Sequence, residues 1–162
     1  MSSKVIVSGF IQRIFIALIG LFFVANIANA QQKFPTDTLS IISKDNTYDF
    51  DIELALDDSH RQYGMMFRTE LPEMNGMLFI YDNKKRISMW MKNTFIPLDI
   101  IFVDEAGKIM RIEKMAQPRS LSLIRSGGLA KAVLEVNGGL ADKLGIDVGD
   151  ELIYSTFGNA TK

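Results

Sequence analysis

A stretch that alternates apolar and acidic residues one for one can bury a single face only as a β-strand. Residues 48 to 56 are such a stretch. Tyr48, Phe50, Ile52, Leu54 and Leu56 fall on one side, with Asp49, Asp51 and Glu53 on the other. A helix would scatter both sets around its axis. The same short period runs through the chain after residue 38. Leu39 to Ile42, Met77 to Tyr81, Ile87 to Asn93, Ala132 to Val136 and Glu151 to Tyr154 read as strands. Leu98 to Asp104 pairs naturally with Lys108 to Lys114 through the turn Asp104-Glu105-Ala106-Gly107. Two short helices interrupt the pattern. One is predicted over Ser59 to Phe67, capped by Asp57 or Asp58, with Tyr63, Met66 and Phe67 facing the core and Gly64 as a weak point. The other spans Leu140 to Leu144 and ends at Gly145. Residues 117–128 read as a long loop. The expected fold is α+β, mainly β: a small barrel-like or two-layer sheet with two short helices.

The first thirty residues have a different logic. Lys4 and Arg13 give a basic start, Ile14 to Val24 is an unbroken apolar run, and Ala28-Asn29-Ala30 closes it with small residues. This is the pattern of a secretory signal peptide, cut after Ala30. The apolar run falls short of the roughly 20 residues that a spanning helix needs, so no stable membrane span is expected after cleavage. A periplasmic or secreted location follows. Cleavage leaves 132 residues and removes two basic residues but no acid, giving a net charge of −3. Residues 31–38 are expected as a flexible tether, 39–155 as a single globular domain and 156–162 as a C-terminal tail.

Composition narrows the chemistry. With no Cys there is no disulfide framework, thiolate nucleophile or Cys-ligated metal. A single His excludes motifs that need two, and a near-balanced charge argues against nucleic acid as a partner. The G-x-S-x-G, P-loop and dinucleotide fingerprints are missing, so no cofactor and no metal are called for. Asp57-Asp58-Ser59-His60 reads as a helix start with a solvated His60, since neighbours in sequence do not make a catalytic triad.

The densest segment is Trp90-Met91-Lys92-Asn93-Thr94. As a strand it puts Trp90, Lys92 and Thr94 on one face, with Met89, Met91 and Asn93 on the other. A lysine amid so much apolar sequence must snorkel, pair or act, and Asp99 and Glu135, inside apolar runs, are its natural partners. Trp90, Lys92, Asn93 and Thr94 would line a groove, with Arg68 as a second cation and Asp99 and Glu135 holding the cations in place. This is a binding module for a small polar or anionic envelope ligand, or for a partner protein. Two alternatives stand beside it: a hydrolase or lyase using Lys92, Asp99 or Glu135 as acid–base groups, and a Cu(I) carrier using Met89 and Met91.

Several segments also resemble, in order, the motifs of a bacterial and archaeal family, domain of unknown function 192. They are Gly64-Met65-Met66-Phe67-Arg68, Gly76-Met77-Leu78-Phe79, Trp90 to Thr94, Pro97 to Phe102, Val133-Leu134-Glu135-Val136 and Gly149-Asp150. Met65 stands where the family pattern usually has Leu, a near volume-conserving change. The resemblance implies a compact β-rich domain, often exported, with no established activity. It places the family's polar motif residues on Arg68, Lys92, Asn93, Thr94, Asp99 and Glu135.

Overall fold

The computed structural model describes residues 32–160; the expected signal peptide and its cleavage point lie outside them. Seven strands form one curled sheet. They are β1 (Thr36–Ser43), β2 (Asn46–Ala55), β3 (Asn75–Met89), β4 (Leu98–Val103), β5 (Ile109–Ala116), β6 (Ile124–Asn137) and β7 (Glu151–Ile153). Helix α1 (Asp58–Tyr63) follows β2, and α2 (Leu140–Leu144) follows β6. The sheet order is β5-β4-β6-β3-β2-β1-β7. Every pairing is antiparallel except β2 with β3, so the segment from Leu56 to Met74 is a crossover that carries α1. The outer strands approach at the Lys108–Glu151 bridge, where Ile109 donates to the Asp150 carbonyl at 2.9 Å. The α+β, mainly β expectation holds.

Both faces of the central strands are buried. One core draws Leu39, Phe50, Leu78, Ile101, Ile109, Leu134 and Leu152 from all seven strands and fills the inside of the curl. The second holds Met65, Met77, Phe79, Met91, Ile100, Phe102 and Val133 on the opposite face of β3, β6 and β4. Burial on both faces explains why β4 is apolar almost throughout. Gly76 belongs to this close packing: a Cβ there would stand 2.8 Å from the Glu135 carbonyl oxygen on β6.

The elements differ from expectation where local pattern competes with tertiary contact. Strand β1 starts at Thr36, inside the expected tether, because Phe34 is buried against α1 and the Pro35 carbonyl accepts from Leu54 N–H at 2.8 Å. Helix α1 stops at Tyr63: Gly64 adopts φ 49°, Met65 enters the second core and Phe67 points to solvent instead of the core. Two expected strands merge into β3, whose polar middle, Asp82 to Arg86, is exposed on both sides and crosses two register shifts against β6. Alternation cannot reveal a ribbon solvated on both faces. Strand β6 begins at Ile124, so the expected long loop shrinks to residues 117–123. The C-terminal tail is partly docked, since the Asn159 amide meets Tyr154 N–H, the Leu152 carbonyl and Glu151.

Candidate functional site

Three loops meet at the end of the sheet where β3 stops. They are residues 64–68 after α1, 90–97 after β3 and 117–123 before β6. Main-chain hydrogen bonds tie them together. Phe67 N–H donates to the Asn93 carbonyl at 2.7 Å, Met91 N–H to the Ser120 carbonyl at 3.1 Å, and Arg119 N–H to the Thr94 carbonyl at 3.1 Å. The segment Trp90 to Thr94 is therefore a turn and not the continued strand that alternation suggested, because β3 ends at Met89. Of the five non-glycine residues with positive φ among the described residues, three sit on these loops: Phe67 (65°), Asn93 (57°) and Arg119 (62°). For bulky residues this backbone is costly, about 1 to 3 kcal/mol each, and such strain concentrates at functional sites.

The loops display aromatic rings paired with cations. Trp90 is 41% exposed, Phe95 39% and Phe67 54%. Lys92 Nζ lies 5.0 Å from the Trp90 ring and the Arg119 guanidinium 4.9 Å from Phe95, both within cation–π range. Phe67 meets Phe95 edge-on at 6.1 Å, and Tyr63 and Phe34 continue the ring contacts inward at 6.0 and 6.3 Å. No Asp or Glu occurs in residues 64–68, 90–97 or 117–125; Glu70 and Asp99 are the nearest acids along the chain. Lys92, Arg119 and Arg125 make no ion pair among the described residues.

The expected site residues divide into three groups. Trp90 and Lys92 are exposed, Asn93 is half-buried with its amide 3.8 Å from Met66 Sδ, and Thr94 is buried. Arg68 and Glu135 form a second group under the loops. Glu135 on β6 pairs in register with Met77 on β3, which pairs with Glu53 on β2. Arg68 lies above this row and forms an ion pair with Glu53. Burial pushes the Glu135 carboxyl up to about 8, and the charge of Arg68 works in the other direction.

Asp99 is the third group, and it lies elsewhere. It pairs with Val136 while its neighbour Ile100 pairs with Glu135, so Asp99 and Glu135 point to opposite faces of the sheet. Its carboxylate accepts from Met115 N–H (2.8 Å), Gly139 N–H (2.9 Å) and Ala141 N–H (2.8 Å). Asp99 thus anchors the start of α2 and steadies no cation at the loops. Asp99 and Glu135 of the expected acid–base set therefore do not converge. Met89 and Met91 are buried in the second core, where thioethers serve as packing. His60, expected in solvent, is half-buried 4.9 Å from Phe34, with Nδ1 3.0 Å from Asp57 Oδ2.

Residues 40–154 match the profile of DUF192, described as Uncharacterized ACR. The chain belongs to this family. Two solved structures share its fold. A protein from Sinorhizobium meliloti 1021, named as a candidate transcription regulator, is 34% identical with a TM-score of 0.76, over 78% of this chain and 99% of that one. A protein of unknown function from Novosphingobium aromaticivorans is 36% identical with a TM-score of 0.75, over 77% of this chain and 89% of that one. No curated protein matches. The polar positions implied by DUF192 therefore do not form one constellation here: Lys92, Asn93 and Thr94 shape the loop turn, Arg68 and Glu135 lie beneath it, and Asp99 secures α2.

Sequence reasoning missed Phe67, Phe95, Arg119 and Glu53 as neighbours of the site. Phe95 and Arg119 stand in segments free of acids, a signal that the sequence does carry. Phe67 was legible only once the left-handed backbone at that position was known.

Proposed function

We propose that this DUF192 domain is a binding module of the cell envelope, exported by its N-terminal segment, and that its loop face takes an anionic ligand. The observation that carries the reading is the pairing of exposed aromatic rings with unpaired cations on strained, acid-free loops. The domain as a whole is acidic, so this face is a local exception. An anion there meets Lys92 and Arg119 while an apolar part rests on Trp90 or Phe95. Nucleic acid is a poorer fit, because the domain carries a net charge of −3 after cleavage.

Trp90 is the only tryptophan, so its emission reports the face directly. The test is titration of the full chain with soluble anions, glycerol phosphate and acidic saccharides among them, and with neutral saccharides as controls. A saturable, salt-sensitive change with an anion, weakened in Lys92→Gln and Arg119→Gln, supports the reading. An emission that no anion moves, in a protein of unchanged melting temperature, overturns it.

A further inference from the structure

We infer that the anionic ligand of the loop face is the surface of an anionic lipid bilayer, on which the domain docks through its loop tips. This rests on the anion-binding reading above and narrows it. The first argument is the apolar content of the tips. Beyond the three aromatic rings, Leu121 and Leu123 are 67% and 50% exposed. Binding a small soluble anion needs no such leucines, whereas an interface that takes apolar side chains below its headgroups does. Tryptophan and phenylalanine suit the same depth.

Charge is the second argument. Lys92 lies over Trp90 and Arg119 over Phe95, Arg125 follows Leu123 by two residues, and no Asp or Glu stands in these segments; basic residues beside inserted apolar ones are drawn to anionic headgroups. Two surface hollows of the domain run along β1, and carboxylates line both: Asp37 and Asp49 in one, Asp37, Asp51 and Glu53 in the other. Neither suits an anion.

The third argument is where the chain enters the domain. Nine residues separate the apolar run Ile14 to Val24 from Phe34. Phe34 is linked through Tyr63 and Phe67 to Phe95 by successive ring contacts of 6.3, 6.0 and 6.1 Å. The chain thus enters the domain at a ring that is connected to this face through Tyr63. Leu121 and Leu123 follow Arg119 and Ser120, whose main chain is bonded to Thr94 and Met91, so they share the same end of the molecule.

The test uses the full chain and the fluorescence of Trp90 with lipids brominated along their acyl chains. Bromine quenches only a tryptophan that reaches the acyl region, so the readout follows the face itself even if the N-terminal segment also holds the chain on vesicles. Phosphatidylglycerol-containing vesicles should quench Trp90 at least about twofold more than pure phosphatidylcholine vesicles, and high salt should erase the difference. Leu121→Ser with Leu123→Ser should reduce quenching with the emission in buffer unchanged, showing the fold intact. Equal quenching in neutral and anionic vesicles overturns the proposal. So does an unquenched Trp90 that still responds to soluble glycerol phosphate, which leaves the anion-binding reading standing. A response to polyglutamate alone also overturns it and points to an acidic protein partner. No response to vesicles or to any soluble anion ends both readings.

Discussion

Replacing Glu135 by Gln should make the domain more stable, and by an amount that grows with pH. The carboxyl is buried between β3 and β4, with Met77 and Ile100 as its cross-strand neighbours and Arg68 as the facing charge. Burial holds its ionisation near 8, whereas the ordinary value is 4.5. Between those values the native state keeps a proton that the unfolded chain has released. Stability therefore falls as pH rises through this window, by about 1.4 kcal/mol per pH unit. At neutral pH the loss is on the order of 3 kcal/mol, and it levels off above about pH 8 near 5 kcal/mol. Glutamine has the shape of the protonated side chain and does not titrate. Urea unfolding of both proteins from about pH 5 to 9 measures the difference. A constant offset, such as an imperfect fit of the amide, leaves its slope untouched. Parallel profiles would refute the reasoning, and would mean that Glu135 is ionised in the native state throughout this range, as a carboxylate paired with Arg68 is.

Three further outcomes follow from packing and hydrogen bonding. Asp99→Ala strands three backbone N–H groups and should cost about 3 to 5 kcal/mol; Asp99→Asn, which keeps one acceptor oxygen, should lose less, and thermal melts would rank them. Phe34→Ala removes a buried ring and should destabilise by about 3 to 5 kcal/mol, which a true flexible tether would not show. Gly76→Ala forces a methyl against the Glu135 carbonyl and should cost about 1 to 3 kcal/mol by denaturant midpoint, although alanine has the better intrinsic propensity.

The strands were legible because burial writes itself into sequence with period two, as in Tyr48 to Leu56, or as unbroken apolar runs, as in Leu98 to Val103. The β4–β5 hairpin and α2 were legible from turn and cap chemistry. What escaped was set at a distance. The register that sends Asp99 and Glu135 to opposite faces depends on how β4 pairs with β6, and no local pattern contains it. Trp90 to Thr94 kept an alternating pattern because Met89 and Met91 are buried, yet the chain had already left the sheet. The loop face is joined by main-chain bonds between residues 67 and 93, 91 and 120, and 94 and 119, and side-chain identity says nothing about those.

The pairing of β1 with β7 sets a timetable for folding. Residues 40–42 pair with β2 on one side, but find their partners on the other side only at 151–153, and the Lys108 bridge to Glu151 waits for the same strand. A chain that emerges N-terminus first, from a ribosome or through an export channel, cannot complete this sheet until its last strand has appeared. Until then the early strands expose an unpaired edge, which slows closure and invites association with other chains. The last strand, not the first, is where synthesis hands over to structure.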